Sequence, residues 1–573
     1  MKPHDPAINA SLLHTANVAL RRVTTAFTSK LLLAYCCVGI LLFPLYQYQV
    51  NPDGISYINI ARLYSVGDLH DAINAYWGPL TSWLLVPLLL VNLQPALALQ
   101  LLSLIYGALT TIATIRLSSI FILTNRARSL ALLAAIIIIL SYTFFASVPD
   151  LLFLCISLFY LSYIFAPDYN RTAISGVIIG LLGSLLYLDK SYGLYLFMAH
   201  FTLFTYIHYL QSNDRRERRI VLLKYVLGLS CLAIISGIWI HSLSDKYQHF
   251  TISTTAQYNI KIDSLGSQGQ PMHSQGLLPL PYPSAVSAWD DPSRLTVEYE
   301  KSPRLLDWVR WQIFHIAGNV FRTFYYLELF SVFSIVIVLI YASYYFSSRV
   351  SKAEEGGPAR ERRSGRRGLQ LYWGQDHGKL HSSVVYSLVT MLLYTAGYEV
   401  LHVESRFLWI DSILLLLLCA HYISNSQFCA TCNVKLRLLM TSIIFSSFCL
   451  YPLMQIIIHA NQNRYIYITA RELHNNYHVE GSIASNDNGG DGWDLTLFYA
   501  FYLDSKYYGA TKKSITDEEL QRELGKYRIQ YYFSWDDVCR LSECRKLADF
   551  EVEFLWTTEK KHLIVYQIRN VGS

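Results

Sequence analysis

Residues 51–80 carry an unusual mixture of polar, acidic and aromatic side chains, directly after the first long apolar run of the chain. The first carboxylate of this segment is Asp53, in the sequence NPDG. A carboxylate just past the end of a membrane span can meet a lipid headgroup on one side and water on the other. There it can accept a proton from a hydroxyl group, and such general-base catalysis typically contributes about 10²–10⁴ in rate. Alternatively, Asp53 caps the helix that Pro52 begins.

Aromatic residues follow Asp53 within the same segment. Tyr57, Tyr76 and Trp77 are candidates for contacts with a substrate. Aromatic side chains also form ordinary belts at membrane interfaces, so these three residues have a purely structural alternative. A role in substrate binding is supported only if other polar groups lie with them on the same face of the membrane.

Further ionisable residues interrupt the apolar runs at three distant places. These candidates are Asp150, Lys190, Glu404 and Arg406, with His402 close to the last two. A charge near hydrocarbon costs about 2.5–3.5 kcal/mol even on the milder insertion scales, so such residues are functional candidates by default. Arginine is also suited to two-pronged recognition of phosphate.

Each of these charges has a structural alternative. Asp150 follows Pro149 and can cap a helix. Lys190 can form an ion pair with its neighbour Asp189, and the side chain of Arg406 can extend to the membrane interface without binding a ligand.

The composition indicates a membrane protein with many spans. The 573 residues are 53% hydrophobic and only 15% charged, and the mean hydropathy is +0.28. A helical span needs about 20 apolar residues, and backbone groups in lipid must be satisfied within the segment, which favours helices. The predicted fold class is therefore a polytopic α-helical membrane protein.

Eleven spans are predicted from the apolar runs. Placing Pro79–Leu93 at the outer interface, not across the bilayer, puts every basic cluster on the inner side, in agreement with the positive-inside rule. The N-terminus is then inside and the C-terminus outside. The predicted spans are 31–47, 96–122, 129–147, 150–166, 172–188, 191–210, 222–241, 326–347, 381–398, 407–424 and 437–458.

This topology divides residues 1–460 into a membrane domain with two large outer loops, 48–95 and 242–325, and a basic cytoplasmic loop, 347–380. The loop 242–325 is expected to cover the candidate site. Within it Trp289 and Asp290 are either acceptor contacts or ordinary packed loop residues.

Residues 461–573 alternate strand-like and helix-like pieces and predict a small α/β domain outside the membrane. Cys539 and Cys544 lie in this domain, where a disulfide is expected in an oxidising compartment. Cys429 and Cys432 form a single C-x-x-C in a predicted cytoplasmic loop. This pair is weak evidence for zinc and is interpreted as structural or incidental.

The predicted topology brings the candidate charges together. It places Asp53, Asp150, Lys190, Glu404 and Arg406 on the same membrane face, although they come from distant parts of the chain. A base beside cations that neutralise a departing phosphate is what sugar transfer from a lipid phosphate requires.

At this point the chain resembles the GT-C superfamily of glycosyltransferases that use polyprenyl-phosphate sugars. It is similar in layout to the family 39 relatives, the protein O-mannosyltransferases and the aminoarabinose transferases of lipid A. The resemblance covers residues 30–460 and rests on the motifs PDGISYINIA, YWGPLTSWLL, VPD, LYLDKSYGLYLF and ESRFLW.

The resemblance implies roles for the candidate residues. It makes Asp53 the catalytic base and Asp150 the second acidic position, with Arg406 and Lys190 holding the lipid phosphate. Gly54 follows Asp53 where some members have a second acid, and the second loop has one acid in place of a triplet. We therefore expect no cofactor and no obligatory metal. The substrate contacts would come from Glu404, Tyr57, Tyr76, Trp77 and His402.

The resulting hypothesis is an inverting glycosyltransferase that moves a sugar from a polyprenyl-phosphate donor to a glycan, lipid or protein acceptor on the outer face. The alternative is a flippase for lipid-linked sugars or another transporter, although the internal symmetry typical of transporters is not evident. Nucleic acid is not an expected partner. The expected location is a bacterial inner membrane, with the C-terminal domain in the periplasm.

Overall fold

The computed structural model describes residues 27–145, 149–299, 304–355, 382–426, 433–487, 494–553 and 560–569. Helices dominate up to the end of the membrane domain. In chain order they are α1 (Phe27–Leu45), α2 (Pro52–Val66), α3 (Leu69–Ala72), α4 (Pro79–Leu90), α5 (Pro95–Ser118), α6 (Asn125–Phe145), α7 (Asp150–Ile164), α8 (Ser175–Asp189), α9 (Tyr192–Gln211), α10 (Arg215–Tyr247), α11 (Thr255–Ile262), α12 (Pro271–Ser274), α13 (Leu305–Phe330), α14 (Ser334–Glu355), α15 (Ser382–Glu399), α16 (Trp409–Asn425) and α17 (Val434–Ile458).

Among the described residues, six helices are long and apolar enough to cross a membrane, or seven if a sharply bent pair is one span. They are α1, α5, α6, α10, α16 and α17, with α13 and α14 as the bent pair. The chain is thus an integral membrane protein, but the predicted count of eleven spans is not confirmed. Two predicted spans, 150–166 and 172–188, form the shorter apolar helices α7 and α8, each of 15 residues.

Close packing of small residues joins the membrane helices. A Cβ atom built on Gly180 of α8 would lie 2.2 Å from the carbonyl oxygen of Gly228 on α10. The two backbones can approach so closely only because neither residue has a side chain, as is common between membrane helices. This contact fixes the far end of α8, the helix that ends beside Lys190.

The predicted span 326–347 is not one continuous helix. The chain breaks at Ser331, whose φ of −165° and ψ of 136° are extended, and α13 and α14 meet at 109°. The composition of residues 326–347 shows no interruption at this point. Hydropathy does not reveal a change in the direction of the helix axis. The predicted outer loop 242–325 accordingly contains most of α13, and α14 continues to Glu355 into the predicted basic loop.

The predicted outer loop 48–95 is also mostly helical. It contains α2, α3 and α4. Asn51 caps α2, because its side-chain oxygen accepts a hydrogen bond of 2.7 Å from the backbone N–H of Gly54. Helix α4 has 12 residues, which is too short for a helical span.

The C-terminal domain contains a five-stranded sheet with the strand order β2-β1-β3-β5-β4. Strand β1 runs parallel to both β2 and β3, whereas β5 runs antiparallel to β3 and β4. The elements are α18 (Arg464–Tyr477), β1 (Ser482–Ser485), α19 (Asp494–Tyr502), β2 (Lys506–Ala510), α20 (Asp517–Lys526), β3 (Tyr531–Trp535), β4 (Cys544–Glu553) and β5 (Lys560–Ile568).

The mixed α/β architecture of this domain agrees with the sequence pattern, and Cys539 and Cys544 form the expected disulfide. Strand β2 was not predicted. Cys429 and Cys432 lie outside the described residues, as do most of the predicted basic loop and residues 488–493.

Candidate active site

Asp53 lies in the first turn of α2 and is held at both carboxylate oxygens. The indole N–H of Trp289 donates to Oδ1 over 3.1 Å, and Nη1 of Arg406 donates to Oδ2 over 3.0 Å. The capping role belongs to Asn51, so Asp53 does not serve as the helix cap. Each carboxylate oxygen can accept a further hydrogen bond.

Arg406 lies on a short 3-10 turn, Ser405–Leu408, directly before α16. Its Nε donates to Oε2 of Glu404 over 2.7 Å, and its Nη1 lies 3.8 Å from Oδ2 of Asp150. The side chain is only 20% exposed. Arg406 is therefore directed inward onto three carboxylates and does not extend to the interface. Burial alone would raise the pKa of Glu404, but the adjacent Arg406 charge brings this pKa below its ordinary value.

Asp150 and Lys190 form the second ion pair of the site. Asp150 is the first residue of α7 and its side chain is 4% exposed. Lys190 follows the end of α8, and its ammonium donates to Asp150 Oδ1. The ammonium also lies 4.6 Å from the centre of the Phe407 ring. The predicted alternative partner, Asp189, is fully buried and instead accepts from the hydroxyl of Thr81 over 3.3 Å.

Aromatic rings pack edge to face beside Asp53. The centre of the Trp77 ring lies 5.3 Å from that of Tyr57 and 5.7 Å from that of Trp289. The Tyr76 ring lies 4.6 Å from Trp77 and 5.8 Å from Trp289. Such edge-to-face pairs fix ring orientation more tightly than burial alone. The rings make a rigid wall next to the carboxylate.

His402 lies between two carboxylates at 3.7 Å from Asp263 Oδ2 and 3.6 Å from Glu404 Oε1. It is 41% exposed. Burial raises the pKa of Asp263, and the nearby imidazole opposes that increase. Asp263 was not predicted from the sequence, because it follows α11 in a long loop without a recognisable pattern.

One cavity of about 460 Å³ connects all these groups. Every predicted site residue lines it, as do Trp289 and Asp263. Asp290 is different: it is fully buried and accepts from Nδ2 of Asn59 on α2 over 2.8 Å. Of the two alternatives for this residue, the structure favours the packed loop residue. Within the described ranges, no three His, Cys, Asp or Glu side chains are arranged to hold a metal ion.

Gly78 allows the aromatic wall to lie against the end of α8. A Cβ atom at this position would lie 2.1 Å from the carbonyl oxygen of Asp189. We expect Gly78→Ala to displace the residues around Lys190 and to lower the free energy of unfolding by about 1–3 kcal/mol, the usual cost of overpacking. Thermal unfolding in detergent measures this loss.

Gly237→Ala is the matched control, since a Cβ atom there meets nothing within 4 Å. Alanine is also a better helix former than glycine, so this variant should be at least as stable as the wild type. Equal stability of both variants would contradict the close approach of Gly78 and Asp189.

No family model matches the sequence, and no curated protein matches it. Solved structures do match. ArnT from Cupriavidus metallidurans, solved bound to undecaprenyl phosphate, is 12% identical with a TM-score of 0.52, and the match covers 93% of this chain and 97% of that chain. The oligosaccharyltransferase from Archaeoglobus fulgidus, solved in complex with Zn and sulfate, is 12% identical with a TM-score of 0.50 over 88% of this chain and 67% of that chain.

These similarities concern the fold. They extend over both the membrane domain and the C-terminal domain, because the match to ArnT covers nearly all of both chains. The chain therefore has the same fold as these two proteins.

Proposed function

We propose that this chain is an inverting glycosyltransferase that moves a sugar from a polyprenyl-phosphate donor to a hydroxyl acceptor. The observation that carries this proposal is the ionic network around Arg406. It joins Asp53 and Asp150 to two cations from other helices, Arg406 and Lys190, along one cavity. A base next to fixed cations fits a reaction in which a phosphate leaves as an oxyanion.

The proposed reaction uses the remaining hydrogen-bonding capacity of these residues. Asp53 accepts the proton of the acceptor hydroxyl at an unused lone pair. The acceptor oxygen forms a bond to the anomeric carbon as the bond from that carbon to the phosphate oxygen breaks. The electron pair leaves with the polyprenyl phosphate, and the attack from the opposite face inverts the anomeric centre.

The leaving phosphate meets donors that the carboxylates do not use. Lys190 makes one hydrogen bond to Asp150, and an ammonium has further N–H groups. Arg406 uses Nε and Nη1, which leaves Nη2 of a planar fork for phosphate oxygens.

We further propose that the cavity faces the outer side of a bacterial inner membrane and that the C-terminal domain is periplasmic. The direction of the helices supports this. Arg126 lies at the start of α6, whose other end approaches Asp150, and the basic run 215–219 begins α10 after α9 has led away from Lys190. These two groups of basic residues are thus at the helix ends opposite to the cavity, in agreement with the positive-inside rule.

The test of the function is turnover of polyprenyl-phosphate sugars that carry a radiolabel in the sugar, by the purified full chain in detergent with lipid A, glycan and peptide acceptors. Release of polyprenyl phosphate together with a labelled acceptor supports the proposal. A folded protein that releases none from any donor would contradict it. In that case, movement of the intact donor across vesicles would test the transporter alternative.

We expect this turnover to be independent of divalent cations. Both acidic positions, Asp53 and Asp150, already have a basic partner, so the charge that a metal would supply comes from the chain itself. EDTA should leave the rate unchanged, and Mg²⁺ or Mn²⁺ added afterwards should not increase it. Loss of turnover in EDTA followed by recovery with a divalent cation would show that this expectation is wrong.

A further inference from the structure

A segment of the long outer loop, residues 277–290, connects the C-terminal domain to the candidate site. At one end it extends the C-terminal sheet at the edge strand β2. The N–H of Leu278 donates to the carbonyl of Tyr508 over 2.7 Å, and the N–H of Tyr507 donates to the carbonyl of Val286 over 2.7 Å. Backbone pairing to an exposed sheet edge is a common way to hold an extended segment.

A side chain of this segment also enters the C-terminal domain. Leu277 is 5% exposed and belongs to an apolar cluster with Leu520 and Leu524 of α20 and Ile529. The segment therefore contributes to the core of the domain and does not merely rest on its surface. Burial of the Leu277 side chain stabilises the attachment of the segment to the C-terminal domain.

The other end of the segment is fastened to the membrane domain. On α2, Asn59 Nδ2 donates to Asp290 Oδ2 over 2.8 Å and the hydroxyl of Ser56 donates to the carbonyl of Trp289 over 3.2 Å. Asn74 Nδ2 donates to the carbonyl of Asp290 over 2.8 Å. These bonds fix the carbonyl of Trp289 and the residue that follows it.

At the end of the segment that is attached to the membrane domain, the side chain of Trp289 contacts the carboxylate of Asp53. Its indole N–H donates to Asp53 Oδ1, and its ring packs against Tyr76 and Trp77. With Arg406 on the other oxygen, the Trp289 contact limits rotation of the carboxylate about its side-chain bonds. Orientation of a reacting group matters, since a misplacement of about 1 Å can cost 10²-fold in rate.

We propose that Trp289 is a positioning residue for Asp53, and that the C-terminal domain holds it in place through the 277–290 segment. This inference rests on the proposed function, in which Asp53 is the base. It assigns the C-terminal domain a part in catalysis: its sheet edge and core keep the indole donor on the carboxylate. The domain thereby acts on the reaction without contacting the reacting atoms.

The first test is Trp289→Phe, which keeps an aromatic ring and removes the N–H. We expect kcat to fall by about tenfold to a hundredfold with little change in KM, because orientation is lost while binding remains. Loss of a donor favours the protonated carboxylate. The acid limb of the kcat profile should therefore move up by about half a pH unit to one unit, the equivalent of one ordinary hydrogen bond.

Trp83→Phe is the matched control. Trp83 packs against Tyr64 and Trp239 away from the cavity, so the same substitution there should change neither kcat nor the pH profile. If Trp289→Phe matches this control in an otherwise active enzyme, the inference is wrong and the proposed function stands. An inactive wild type refutes the proposed function, and the role of Trp289 is refuted with it.

The second test weakens the attachment of the 277–290 segment to the C-terminal domain without changing the indole of Trp289. Leu277→Ala and Leu524→Ala remove the same side chain from the same cluster, but only Leu277 belongs to the loop segment. We expect Leu277→Ala to increase hydrogen exchange over residues 278–289 and to lower kcat with the same shift of the acid limb. Leu524→Ala weakens the same cluster from the side of the domain, so its effects should have the same direction and be smaller.

Hydrogen exchange needs no substrate, so this arm tests the mechanical link independently of activity. Rapid exchange over residues 278–289 in the wild type would overturn the link between the sheet and the segment. Protection that persists in Leu277→Ala, with normal kcat, would overturn it as well.

Discussion

Asp53→Asn is expected to abolish sugar transfer while the protein still folds and binds its donor. Asparagine has nearly the same shape as aspartate, and its side-chain oxygen can still accept from Arg406 or Trp289. It cannot take up the proton of the acceptor hydroxyl at neutral pH. Loss of a general base typically costs about 10²–10⁴ in rate, and kcat should fall by that factor.

The measurement is the initial rate of sugar transfer, with binding of polyprenyl phosphate to wild type and variant as the check on folding. Asp504→Asn is the matched control, because Asp504 also accepts from an arginine, Arg62, over 3.2 Å, but is 82% exposed and outside the cavity. Its rate should equal that of the wild type. Full turnover by Asp53→Asn would remove Asp53 as the base and leave Asp150 as the next candidate.

The convergence of the candidate charges could be predicted from the sequence because it depends only on topology. Asp150 and Lys190 lie at opposite termini of two consecutive apolar helices, so both must appear on one face of the bundle. Asp53 comes shortly after the end of α1, and Arg406 lies directly before the start of α16. The position of a residue relative to the end of its helix can be predicted from the sequence even where the number of spans is not confirmed.

The partners of these charges could not be predicted, because they depend on side-chain direction. Lys190 adopts extended backbone angles, φ −139° and ψ 132°, after the end of α8. Its side chain therefore reaches Asp150, and the neighbouring Asp189 is buried against Thr81. Adjacency in the sequence favoured an ion pair between Lys190 and Asp189, whereas the structure pairs Lys190 with Asp150.

Trp289 shows a second limit of sequence patterns. It contacts Asp53 across 236 positions of the chain, from a loop without hydrophobic periodicity. Strand β2, which holds that loop, is equally hard to recognise, since the sequence KYYGA has a glycine where alternation would require a side chain. Both features depend on contacts between residues that are far apart in the sequence.

The second large effect is expected for Arg406→Lys. Lysine keeps the positive charge but cannot span Glu404 with one nitrogen and Asp53 with another, as Arg406 does at 2.7 and 3.0 Å. It also lacks the planar fork that matches phosphate oxygens. We expect kcat to fall by about 10²–10³, the range for removing a donor that stabilises developing negative charge, together with weaker binding of polyprenyl phosphate.

Arg62→Lys makes the same change at the ion pair with Asp504 outside the cavity, and its rate and affinity should match the wild type. The comparison distinguishes charge from geometry. If Arg406→Lys also behaved as the wild type, a point charge at this position would suffice, and the proposed division of the Arg406 nitrogens between the carboxylates and the phosphate would be wrong. If both affinity and kcat fall in Arg406→Lys alone, the fork of Arg406 orients Asp53 and binds the phosphate through different nitrogens of one side chain.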